Sequence, residues 1–377
     1  MVQTIVILGG AVGGLHIAHA LLKKNNKDIK VILVTKNSHF YWNLASVRAI
    51  VPNVIPDSEI FRPLSAALSR YPPESYELVI GTATSSDFSS KTVTVSLSSD
   101  AEPSSTRTLT YDHLVLATGA RYADASTPWK ADSSYEAVLS ALHNTQSLAS
   151  KAQHIVVAGA GATGIEVAGE LGYEWGKTKE IVLLSAGSSL LGGDMVGPAA
   201  ANELKKLNVS IKYDSRVVGS AKLDSGKTEI RLENGETIAT DLYLATTGMV
   251  PNSEYVDARH LDADKKTVLV DEYLRVANVE GNNVWAVGDV VSKPRAGFMI
   301  TQKQAASVAK NLELALAGKA PVVAKGPPVD ILGCSVGRGR GAGRMNNFKL
   351  PSFGVWLAKG RTLGVQMVPG YIDGSVA

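Results

Sequence analysis

Two stretches of this chain, "TIVILGGAVGGLHIAHALL" from Thr4 and "HIVVAGAGATGIEVAGEL" from His154, share one order of elements: a short branched apolar run, a glycine-rich turn and a helix-forming segment. Apolar runs without polar alternation predict strands buried on both faces of a parallel sheet. A glycine turn between such a strand and a helix gathers bare amides and the positive end of the helix dipole at one point, which suits a phosphate. Each stretch leads to a second buried run, "KVILVTK" and "EIVLLSAG". The chain therefore contains two βαβ units, each with the form of a dinucleotide cradle.

The cradles are not identical. In the second, Gly159, Gly161 and Gly164 complete GxGxxG, with Thr163 beside the last glycine. In the first, Gly9 and Gly14 take the turn and the helix-packing positions, but Ala11 stands where the middle glycine is expected. One methyl is a small intrusion, and Gly10 and Gly13 add backbone freedom, so the loop reads as a working variant.

Between the units, Tyr76 to Leu116 is a Ser/Thr-rich alternation that predicts a small antiparallel meander, with "SSDAEPSS" as a hairpin loop. "LATGA", with Thr118 and Gly119, "TTG", with Gly248, and "AVGDV", with Gly288 and Asp289, end further buried strands. A nucleotide as long as a flavin dinucleotide needs a second strand end to reach its ribityl chain, and the Gly-Asp pair has that form. The segment "FGVWLAKGRTLGVQMV" reads as strand-like. At 377 residues the chain exceeds one ordinary core. The expected fold is α/β: two Rossmann-like dinucleotide-binding domains, one inserted in the other, with a small α+β C-terminal domain. The boundaries expected are 1–125 and 246–318 for the first domain, 126–245 for the insertion and 319–377 for the last.

Lysine and arginine number 38 against 35 acids, yet Ile331 to Ile372 contains no acid and six bases: Arg338, Arg340, Arg344, Lys349, Lys359 and Arg361. That asymmetry fits a surface for anionic lipid, nucleic acid or phosphate ligands, and equally a solvated glycine-arginine loop. The single cysteine, Cys334, excludes an internal disulfide and a paired-cysteine relay. "AHA" at residues 18–20 imitates a signal-cleavage site without a preceding cationic stretch, so a cytoplasmic protein is expected. "GCSVG" matches a nucleophile elbow at Ser335, but "RGRGAGR" rather than a helix follows. His16 and His19 lack a third ligand, so no metal site is expected.

Loop, "ATG", second loop, "TTG" and "GD" in succession resemble the two-dinucleotide-domain flavoprotein reductases. More narrowly, "HFYWNLASVRAIV", "GIEVAGEL" and "WLAKGRTLGV" resemble apoptosis-inducing-factor-like oxidoreductases of the ferroptosis-suppressor type. The resemblance covers nearly the whole chain. It implies bound FAD, NADH or NADPH as reductant, hydride transfer to the flavin, and electrons passed to a quinone-like acceptor. It places Asn43 and Arg48 near the flavin and makes Glu166 and Lys359 the catalytic candidates, Lys359 relaying a proton or stabilising the reduced ring and Glu166 holding it. Ala83 joins the cofactor-binding set. Two departures stand out. Thr35 and Lys36 end the second strand where an acid usually grips the adenosine ribose, and Ser185 ends its counterpart, so NADH and NADPH are not distinguished. Two rival readings use the same features. One is an oxidase or tailoring oxidoreductase acting on an aromatic metabolite; the other is a signalling or nucleic-acid-binding flavoprotein using the arginine-rich patch. Peripheral membrane contact through the basic segment is a further expectation.

Overall fold

A computed structural model describes residues 2–98, 105–130, 132–291 and 296–377. Two parallel sheets dominate it. In the first, β1 (Gln3–Leu8) is flanked by β2 (Ile29–Thr35) on one side and by His113–Leu116 on the other, all parallel. Tyr76–Asp87 extends this sheet past β2 and then turns antiparallel with Thr92–Leu97 and Thr106–Thr110, while Val284–Ala286 closes the other edge. Most of "SSDAEPSS", expected as a hairpin loop, lies at residues 99–104, outside the described residues. Ile5, Val6 and Ile7 are all 0% exposed, so β1 is covered on both faces, as its unbroken apolar run requires. The helix α1 (Val12–Leu22) lies on one of those faces.

The second sheet is built the same way. β3 (His154–Ala158) lies between β4 (Glu180–Leu184) and Leu242–Ala245, again parallel, and the helix α2 (Ala162–Trp175) follows its glycine turn. In each sheet the chain leaves the central strand toward one neighbour and later returns on the other side. The crevice at the end of that strand is where open α/β sheets take ligands. The chain crosses to the second sheet just after Ala120–Tyr122 and returns through Met249–Pro251, and these two strands pair antiparallel.

The C-terminal segment differs from its expected form. β5 (Ile331–Val336), β6 (Arg340–Met345) and Phe348–Leu350 form an antiparallel sheet. "FGVWLAKGRTLGVQMV", expected as strands, is instead a chain of helical turns: Ser352–Val355, a π-helical turn Trp356–Gly360, Val365–Met367 and Val368–Ile372. Val355, Gly360, Leu363, Val368 and Tyr371 are its buried residues, whereas Phe353 and Leu357 face solvent. Val355 rests on a floor of glycines, since a Cβ at Gly341 or Gly343 would come within 2.7 or 2.9 Å of its methyls. The glycine-arginine run is thus a strand flattened to receive a helical turn.

Candidate functional site

The two glycine turns agree almost atom for atom. Gly9 and Gly159 have φ of +112° and +113°, in the region that disfavours side chains. A Cβ on Gly14 would lie 1.8 Å from the Gly9 carbonyl oxygen, and one on Gly164 would lie 1.7 Å from that of Gly159. Each helix therefore seats directly on its own strand end, with its first amides open. Ala11 and Gly161, the residues before the two helices, have φ of −89° and −78°, which any residue adopts. A Cβ on Gly161 would meet nothing within 4 Å. The backbone therefore does not demand glycine at the middle position, and the Ala11 methyl is compatible with the fold.

A pocket of about 760 Å³ runs over the ends of β1 and β2, lined by Gly9, Gly10, Ala11, Thr35, Lys36 and Ala83 among others. Beyond Ala11 it gives way to a cleft of about 1820 Å³, open to solvent, between the two glycine turns. Ala11, Tyr41, Ala117, Thr118 and Asn252 border both, so the two spaces adjoin along one side of the first sheet. Glycines whose missing side chains leave a continuous groove, ending at a Gly-Asp pair, fit a flavin dinucleotide. The cleft also presents Gly13, Asn43, Gly119, Gly288 and Asp289 from the first half and Gly161, Thr163, Glu166 and Gly248 from the second, with Lys359 from the C-terminal segment. Tyr122 joins the halves, its hydroxyl donating to Thr163 Oγ1 at 3.1 Å.

Glu166 lies beyond the first turn of α2, which holds no acid, and is 5% exposed. Its Oε1 accepts from the Ser335 amide at 3.0 Å and from Lys359 Nζ at 2.5 Å. Lys359 also donates to the Gly333 carbonyl at 3.0 Å. The π-helical turn carries this lysine into the cleft, a local irregularity of the sort often found at functional sites. Burial works against its charge, but the surrounding groups, the Glu166 carboxylate chief among them, hold Lys359 above the usual lysine range. Beside the pair, burial and then the Glu166 charge push the Cys334 thiol up to about 12, which keeps it protonated and inert.

Other candidates fall elsewhere. Arg48 is buried among protein groups and does not line the cleft: its Nε donates to Glu170 at 2.8 Å, and its Nη2 to the Gly360 carbonyl at 2.7 Å. Ser185 is buried with its hydroxyl donating inward to the Ser189 carbonyl at 2.8 Å. Gly14, Gly159 and Gly164 serve packing below the groove. Arg338 pairs with Glu170 and Glu174, Arg340 with Glu203, and Arg344 with Asp194 and Asp330, so carboxylates outside the basic segment face these three arginines. Ser335 is 0% exposed within a strand, with no helix after it.

Several lining residues lay outside the sequence reading. Lys130 Nζ meets Asp289 Oδ2 at 2.6 Å inside the cleft. Trp129, an aromatic that the sequence alone already suggested at a cavity border, lines it too, and its carbonyl accepts from Asn43 Nδ2 at 2.8 Å. Asn252 braces Thr118 in both directions, at 2.7 and 2.9 Å. All three sit in connecting segments without periodicity. The only signal for Asn252 was its place just after the strand that returns from the second sheet.

Comparison with known proteins agrees with this geometry. The family described as pyridine nucleotide-disulphide oxidoreductase matches residues 3–311. Oxidoreductase ptaL of Pestalotiopsis fici is 39% identical over 99% of both chains. Ferroptosis suppressor protein 1 of Homo sapiens is 26% identical, covering 96% of this chain and 93% of that protein. Among solved structures, the sulfide:quinone oxidoreductase of Aquifex aeolicus superposes with a TM-score of 0.75 at 16% identity, over 100% of this chain and 92% of that one.

Proposed function

The chain belongs to the pyridine nucleotide-disulphide oxidoreductase family, as an apoptosis-inducing-factor-like FAD-dependent oxidoreductase that uses NAD(P)H, and from that premise we propose that it delivers electrons directly to a quinone-type acceptor. The observation that carries the proposal is the Glu166–Lys359 pair in a cleft whose neighbouring cysteine is single, buried and protonated. A disulfide relay needs two thiols, so the acceptor has to reach the cleft itself. FAD, when bound, would supply the two-electron redox chemistry between NAD(P)H and the acceptor.

The chain's own groups supply the rest. Residues 9–14, with Thr118, Gly119, Gly288 and Asp289, would hold FAD along the groove, and the turn 159–164 would hold NAD(P)H opposite. Tyr41, Tyr122, Trp129 and Phe298 are among the residues that border the cleft, an aromatic border suited to a planar ligand. The overall change, NAD(P)H + H⁺ + quinone to NAD(P)⁺ + quinol, takes up one proton beyond the hydride. Lys359 Nζ, an ammonium held in place by Glu166 Oε1 and the Gly333 carbonyl, is placed to give that proton and to offset negative charge in the cleft.

The same aromatic lining supports a second reading, reduction or oxidation of an aromatic metabolite at this site. Anaerobic and aerobic turnover with NADH or NADPH separates the two. Benzoquinones of graded size should outpace oxygen, and Lys359→Met should slow them by about 10²-fold or more. If no quinone outpaces oxygen, the quinone-type acceptor falls.

A further inference from the structure

The ribose of a bound FAD adenosine finds no carboxylate at the end of β2, where Thr35 and Lys36 stand. The pocket over that strand end nevertheless contains two carboxylates among the described residues, Asp132 and Glu254, both from segments remote in sequence. Lys36 Nζ reaches Asp132 Oδ1 at 3.0 Å, and Arg121 Nε lies 3.8 Å from Oδ2. Glu254 is turned to Arg121 and is far more open to water, its side chain 62% exposed against 25% for Asp132. A third group points the same way. Asn37 is 3% exposed and lines the pocket; its Oδ1 accepts from the His39 amide at 2.8 Å, while its Nδ2 has no partner. A buried amide hydrogen left unpaired is costly, and an acceptor on a ligand in the pocket would satisfy it.

We infer that Asp132 replaces the strand-end acid as the acceptor for the adenosine ribose hydroxyls of FAD, with Lys36 as its positioning residue and Asn37 Nδ2 as a donor to the same nucleoside. The lysine that departs from the usual strand-end acid is, in this arrangement, what draws the carboxylate in from the connection ahead of Tyr135–Lys151. The inference rests on FAD being the cofactor and is independent of the acceptor.

The test is equilibrium titration of the apoprotein with FAD, followed by quenching of flavin fluorescence. Wild-type binding establishes the cofactor reading on its own. Asp132→Ala should weaken FAD binding by about 10- to 100-fold, the range for one charge-assisted hydrogen bond set. Lys36→Met should weaken it by less. Adding Thr35→Asp to Asp132→Ala returns a carboxylate to the strand end and should restore affinity. Glu254→Gln should bind FAD as wild type does. Apoprotein thermal midpoints, matched among the variants, separate a binding defect from a folding defect. Unchanged affinity in Asp132→Ala, or a loss that Thr35→Asp fails to repair, overturns the inference.

Discussion

At the residue scale, the two glycine turns make a controlled comparison inside one chain. Ala11 and Gly161 hold the same place before their helices, with backbone angles open to any residue and, at Gly161, no protein atom near an added Cβ. Gly161→Ala should therefore leave the thermal midpoint unchanged and raise the KM for NAD(P)H by no more than a few-fold. Ala11→Val, which pushes further methyls into the groove shared by pocket and cleft, should weaken FAD binding by tenfold or more; equal tolerance at both sites would contradict ligand space as the constraint. The Glu166–Lys359 pair makes a second prediction, with a definite sign. Burial lowers Lys359 and the Glu166 carboxylate is the chief group raising it, so removing that negative charge lets burial weigh more, and the ammonium is lost at lower pH. In Glu166→Gln the alkaline limb of kcat should move down by about one pH unit or more, and an unmoved limb would detach Lys359 from the rate. Both residues were nameable from sequence only through family resemblance. Nothing local to "GIEVAGEL" or "WLAKGRTLGV" says that residues 193 positions apart meet at 2.5 Å.

At the scale of elements, α2 is the hub. Its Glu170 is 0% exposed and faces Arg48, from the short helix Ser46–Ala49 packed on it, and Arg338, from the turn between β5 and β6. Burial pushes the Glu170 carboxyl up and its two arginines oppose this, so the carboxylate depends on both partners. Arg48→Met should destabilise the protein by about 3 kcal/mol, read as a fall of several degrees in the thermal midpoint, because it leaves a buried charge half paired. A midpoint within a degree of wild type would contradict this clamp role. Strands β1 to β4 and their turns were legible because their signals are local: an apolar run, a glycine at positive φ, a helix start. The C-terminal turns were not, because Val355 and Gly360 pack against β6, and that face exists only once the sheet has formed. The inward pairing of Arg48 was illegible for the same reason, its partners lying 122 and 312 residues away.

At the scale of the whole molecule, two copies of one βαβ unit face each other across a cleft that a third segment closes with a lysine. The duplication was legible because it is written twice. What the repeat could not disclose was the contents of the connections, where Lys130, Asp132 and Asn252 enter the groove from chain without periodicity. Among the described residues no helix is long and apolar enough to cross a membrane. Two facing cradles, proposed to hold FAD in one and NAD(P)H in the other, make one optical experiment decisive: the visible spectrum of the purified, FAD-loaded chain during anaerobic titration with NADH and then NADPH. A flavin absorption band that bleaches with one equivalent of at least one nucleotide is the predicted result. A chain that stays colourless after incubation with FAD, or a bound flavin that neither nucleotide bleaches, would contradict it.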